Sequence, residues 1–270
     1  MSGAAKPDPL ATLIAIPPMI NSEFCRFLLA HYRAPYIEQP HSFFFSFFYT
    51  LWHGRTVVAP LTYTAAYALV GPEGIIDRFE KLVPTELRLL RDDACESAEV
   101  TADMERFNNV LASAVTQYAY GLLLPHRDIM VAPLTRGCPW WEAGTVRVAY
   151  PLFAGTLKLL LKLSPENSLT ALAQVRAILD EVAARLMDGA SYLVGDRLSL
   201  ADLAFATALA PLVMPPNDGA SAPGFAELPP EMQAVVTEFR AHPAGQFVQR
   251  IYRDWRTPDG EFGKPRLVTP

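Results

Sequence analysis

Near residue 83 the hydrophobic pattern of this chain changes period, and that change constrains the fold more than any other feature of the sequence. Before it, apolar residues fall into short runs broken by prolines; after it, they recur at the 3.6-residue spacing of amphipathic helices. The run ATLIAIP at 11–17 is a short apolar stretch stopped by two prolines, which suits a buried strand. Residues 22–33 follow with Cys25, Leu28, Leu29 and Tyr32 on one helical face, and Asn21 or Ser22 offers the N-cap. A short strand is predicted at 36–38, and the aromatic stretch 43–52 has helical length. TVVAPLTY at 56–63 is a β-branched run interrupted by Pro60. Proline cannot donate to a ladder, so Pro60 belongs at a strand start or an edge, with a cis bond as one option. Pro72 suits the first turn of a helix over 72–81.

The order βαβ, α, ββ, α over residues 1–82 is that of a thioredoxin-like α/β domain. From 83 to 270 no alternating strand is found, and helices are predicted over 98–123, 141–163, 169–187, 199–212, 230–241 and 244–255. This second part reads as all-α. Ser199-Leu200-Ala201-Asp202 is a capping box, in which Ser199 accepts from the third helical N–H and Asp202 reaches back to the Ser199 N–H. Leu198 and Leu203 stand at the hydrophobic-staple positions.

Composition narrows the class of partner. The chain has 270 residues, 51% of them hydrophobic, enough for a sizeable core in one or two domains. Its 23 basic and 28 acidic residues leave a formal charge of −5, which argues against a general nucleic-acid or anionic-membrane binder. Small molecules and proteins are the expected partners. The three cysteines, Cys25, Cys95 and Cys138, are widely spaced and odd in number, so neither a disulfide framework nor a zinc site is expected. Residues 10–19 are short and proline-interrupted, so no signal peptide is read there, and no apolar run reaches a membrane span. A reducing, cytoplasmic location is the expectation.

An α/β domain of this order, followed by helices that carry YLVGDRLSLADLAFA, resembles the cytosolic glutathione S-transferase superfamily. Gly195, Asp196, Ser199, Ala201 and Asp202 match the family's G-D-x-x-(S/T)-x-A-D, which opens the buried helix of its second domain. At the other end, IPPMINSEFCRFLLAHYRAPYIEQPH is similar to a bacterial-type branch with I-P-x-S-x-x-C-E, then G-x-P-Y, then E-x-x-H. Ile16, Pro17, Glu23, Pro35, Tyr36, Glu38 and His41 fall on that pattern, and LLLPHRD and HPAGQFVQRIYRDWR extend the likeness over nearly the whole chain. The resemblance implies the glutathione S-transferase fold, glutathione as co-substrate, a small hydrophobic second substrate and a homodimer.

Three elements of the family's glutathione site can be traced, and two are altered. The family's donor to the thiolate is a polar group after the first strand, but here MINS stands in place of S-x-x-C, with Met19 and Ser22 at the key positions. A thioether donates no hydrogen bond. Asn21 and Ser22, at a helix N-terminus that favours anions, are the candidate catalytic replacements; their bland reading is as helix caps. Ala59-Pro60 matches the family's cis-proline element, which binds the cysteinyl amide through backbone, although a proline protecting an edge has the same sequence. Where the family binds the γ-glutamyl carboxylate, this chain carries Pro72-Glu73. Carboxylate against carboxylate is a repulsion on the order of 1 to 4 kcal/mol.

In the helical part, Tyr118, Tyr120 and Trp140 are candidates to line an apolar substrate cavity facing Met19. Cys25 reads as a small core hydrophobe, and His126-Arg127-Asp128 lacks metal-ligand spacing. The apolar segments 43–52 and 146–163 read as core, dimer surface or peripheral membrane contact, in that order. Two functions are compatible with these residues. One is a transferase that uses glutathione on a hydrophobic electrophile; the other is a catalytically decayed relative serving as a binding or assembly subunit.

Overall fold

In the computed structural model, residues 10–187, 189–220 and 222–257 are described. The outer ends of the two expected domains, 1–9 and 258–270, lie outside them. Strands β1 (Ala11–Ala15), β2 (Tyr36–Pro40), β3 (Leu61–Tyr63) and β4 (Ala68–Val70) form one sheet in the order β2-β1-β3-β4. β1 runs parallel to β2 and antiparallel to β3, with Leu13 opposite Glu38 on one side and Thr62 on the other. Helices α1 (Ile20–His31), α2 (Phe43–Gly54) and α3 (Gly71–Phe79) complete the thioredoxin-like arrangement. Leu13, Ile14 and Ala15 are fully buried, as a strand paired on both edges requires.

Two local expectations change. Helix α1 starts two residues early, with Met19 as its N-cap residue and no side-chain cap, so neither Asn21 nor Ser22 caps it. The Ser22 hydroxyl instead accepts from the buried Ile16 N–H at 3.1 Å and closes the turn between β1 and α1. The run TVV does not join the sheet either. β3 begins only after Pro60, and Val57 and Val58 stay exposed.

The remainder is helical. A long rod comprises α4 (Ala94–Arg106), one π turn (Phe107–Leu111) and α5 (Ala112–Leu123). It opens four residues before the expected start because Asp93 caps it, accepting from the Cys95 and Glu96 N–H groups at 2.9 Å. Next come α6 (Arg127–Thr135), α7 (Trp140–Val148) and α8 (Tyr150–Leu160). His126 is the entry to α6, and the single helix expected over 141–163 divides at Pro151, whose ring cannot continue the preceding turn. Helices α9 (Pro165–Leu186), α10 (Leu200–Val213), α11 (Pro230–Ala241) and α12 (Pro243–Trp255) follow.

Helix α10 is the axis of the helical part, with every residue but Pro211 buried. Its capping box is formed as the sequence indicates. Asp202 Oδ2 accepts from the Ser199 N–H and hydroxyl, both at 2.7 Å, and Oδ1 accepts from the Leu193 N–H at 2.8 Å. Two polar clusters join the parts of the molecule. Arg26 donates to Glu38 and Glu23, while Arg256, just past α12, donates to both Glu23 oxygens. Glu142 of α7 accepts from the Ser42 N–H at 2.9 Å and lies 2.7 Å from His41 Nδ1.

Replacing Asp202 by alanine strands three donors at a fully buried helix start. The expected cost is about 3 kcal/mol, read as a lowered denaturation midpoint with an unchanged slope.

Candidate functional site

The β1–α1 turn, the π turn, α5 and α8 enclose a cleft of about 490 Å³ between the sheet and the helices. Its floor is Pro18 and Met19, its polar wall is Asn108, Ser113 and Thr116, and its apolar roof includes Leu157 and Leu160. The π turn builds the polar wall. By holding one residue more than an α-helical turn, it shifts the side chains of the rod around its axis. Asn108 is held there nine-tenths buried and donates from Nδ2 to Glu73 Oε1 at 3.2 Å. α8 supplies the roof because Leu157 and Leu160 lie on its inner side while Leu152 and Leu159 point to solvent.

Not all of the residues singled out from sequence meet in this cleft. Met19, Asn21 and Tyr120 line it together. Ser22 is fully buried, and its oxygen is engaged by Ile16. Tyr118 is buried and lines a separate cavity of about 830 Å³ with Leu172 and Val235. Trp140 is 87% exposed on the first turn of α7. Tyr120 also borders an inner cavity of about 60 Å³, reached past Pro18 and Ile20 and lined by one carboxylate, Asp218. Burial, with the Glu23 carboxylate behind it, pushes Asp218 up to about 7.

The other two elements lie beside α3. The Ala59–Pro60 bond is cis, and the Pro60 carbonyl accepts from the Gly71 N–H at 3.0 Å. Gly71 opens α3 with φ +66°, a left-handed conformation that glycine adopts without strain. Glu73 is exposed in the first turn of α3. A Cβ built on Gly71 would stand 2.6 Å from Glu73 Oε2, so the carboxylate folds back over the start of its own helix. A helix N-terminus attracts an anion, and here the chain's own carboxylate is already beside it. The buried Cys25 thiol is pushed well up, first by burial, and belongs to the core.

Sequence reasoning missed Asn108, Ser113 and the α8 leucines. The pair Asn108-Asn109 inside an otherwise apolar helical run was the available signal for the first of these.

The family model for the glutathione S-transferase C-terminal domain matches residues 139–257. A search of curated proteins gave no match. Among solved structures, the chain is similar to FzlA from C. crescentus, with 17% identity over 93% of this chain and 96% of that one, at a TM-score of 0.54. A glutathione S-transferase from Sinorhizobium meliloti 1021 shows 18% identity, coverage of 92% and 96%, and a TM-score of 0.54. Glutathione S-transferase-I bound with lactoylglutathione shows 19% identity, coverage of 90% and 99%, and a TM-score of 0.55. At these identities the likeness speaks for the fold. The chain has the glutathione S-transferase fold, and its residues 139–257 match the C-terminal domain of that family.

Proposed function

We propose that this is a glutathione S-transferase-like protein whose interdomain cleft binds a small hydrophobic molecule and whose ability to activate a glutathione thiol is low. One observation carries the reading: Met19 occupies the head of α1 in the cleft, and the hydroxyl at the family's second key position, Ser22, is fully buried and accepts from the Ile16 N–H. A thiolate placed there would find a thioether, which donates nothing. The position of Glu73 over the start of α3 supports weak anchoring of the γ-glutamyl carboxylate. The reading includes a glutathione-binding-type domain over 1–82, a helical domain over 83–270, a homodimer and a cytoplasmic location.

A second reading, a working transferase, is favoured by Asn21. Its side chain lines the cleft in the first turn of α1, where an amide N–H donates to an anion. The two readings part in measurable ways. Calorimetric titration with glutathione should give a dissociation constant in the millimolar range or weaker, about 4 kcal/mol or less of binding free energy. A low-micromolar constant would establish the second reading. Glu73→Ser should tighten glutathione binding about tenfold, since it removes a like charge and adds a donor.

Any glutathione-dependent turnover of an aromatic electrophile should fall with Asn21→Ala and leave stability unchanged. Ser22→Ala should instead cost about 1–3 kcal/mol of stability, because it strands the Ile16 N–H. Ser113→Trp should fill the cleft and abolish binding of an apolar dye, while the circular dichroism spectrum stays as in the parent protein.

A further inference from the structure

We propose that the outer face of α2, α7 and α8 docks on an anionic lipid bilayer. Among the described residues, nineteen large hydrophobic side chains are exposed, and eleven of them fall in just two short segments, 48–58 and 140–160. The two segments are neighbours in space. Phe45 of α2 meets Trp141 of α7 edge-on with ring centroids 4.9 Å apart, and Phe44 meets Phe153 of α8 at 5.2 Å. Glu142 ties the same elements together through His41 and Ser42. From this joint, Phe48 and Trp52 continue along α2, Trp140 stands on α7, and Leu152 and Leu159 stand on α8, each at least 71% exposed.

Charge identifies the occupant. Residues 43–58 and 136–162 carry five exposed cations, Arg55, Arg136, Arg147, Lys158 and Lys162. Their one acid, Glu142, is fully buried and paired. In a chain of net charge −5, these two segments are thus locally basic, with no exposed acid among their own residues. A second copy using the same face would set the cations of these segments against like charges, which disfavours self-association. Protruding tryptophans with lysine and arginine around them are what the interface of an anionic bilayer receives. Phe48, Trp52 and Trp140 line none of the cavities described above, so the face offers projections and not a groove for a partner's side chains. The unfavourable net charge read from composition averages over this local imbalance.

The test is flotation of the full chain with vesicles of phosphatidylcholine alone and of phosphatidylcholine mixed with phosphatidylserine. Binding to the phosphatidylserine vesicles should be at least tenfold stronger, weaken in high salt, and shift tryptophan emission to the blue. Trp52→Ser with Trp140→Ser should abolish that shift, and Arg147→Glu with Lys158→Glu should abolish binding, both with unchanged circular dichroism. All four side chains are exposed; should the tryptophan variant fail to fold, the charge variant decides alone. Absence of flotation at low salt, or flotation equal in the charge variant, overturns the proposal. So does a dimer in sedimentation equilibrium that the charge variant disperses, which assigns the face to a second copy. Equal, salt-sensitive binding to polyglutamate without a blue shift on vesicles likewise overturns it, in favour of an acidic protein.

Discussion

Two arginines and two glutamates with almost no access to water hold the α/β part to the end of the helical part. Glu23, Arg26, Glu38 and Arg256 are each at most 3% exposed, and their charges cancel. Removing four ions from water is costly, and the arrangement is tolerable only because each guanidinium is matched to carboxylate oxygens at hydrogen-bond distance. Arg26 reaches from α1 to the neighbouring strand β2, and Glu23 reaches from the same helix to Arg256 beyond α12. Phe27 and Tyr252, rings 5.5 Å apart and edge-on, pack beside it. Helix α1 is thereby fixed in rotation, and with it the placing of Met19 and Asn21 in the lining of the cleft.

That dependence explains what could be read from sequence. Ser199 and Asp202 announced their helix because a capping box is complete within four residues. Pro60 announced a strand boundary for the same local reason. Ser22 misled because its partner, Ile16, is chosen by the turn that tertiary packing imposes, and a cap and a turn closure look alike in sequence. The β-branched run at 56–58 has strand propensity but no strand beside it, so propensity lost to context. Glu142 was invisible for a stronger reason: its partners His41 and Ser42 lie about a hundred residues away. The site was legible at Met19 and Tyr120, which sit next to recognisable element ends, and not at Asn108 or on α8, whose contribution depends on the π turn and on the break at Pro151.

Helix α8 shows why hydrophobicity by itself was ambiguous. Phe153 and Leu157 are buried, whereas Leu152 and Leu159 are 74% and 79% exposed. A helix apolar on both sides serves two environments: one side roofs the cleft, and the other has no partner among the described residues. The sequence readings of core and of surface contact for this segment are therefore not exclusive. The same helix divides them by face.

The π turn at Phe107–Leu111 holds one residue beyond what an α-helix of the same span would contain, and each residue turns a helix by about 100°. Loss of a single codon there would convert the rod into one uninterrupted helix and rotate one half against the other by that angle. With α5 anchored by α9 and α10, the half that turned would carry Asn108 away from Glu73 and bring a different side chain to the wall. Because α4 also packs on α10 with Val100 and Met104 buried, such a turn would disturb the core, so the extra residue is what lets both halves of the rod keep their packing while Asn108 faces Glu73.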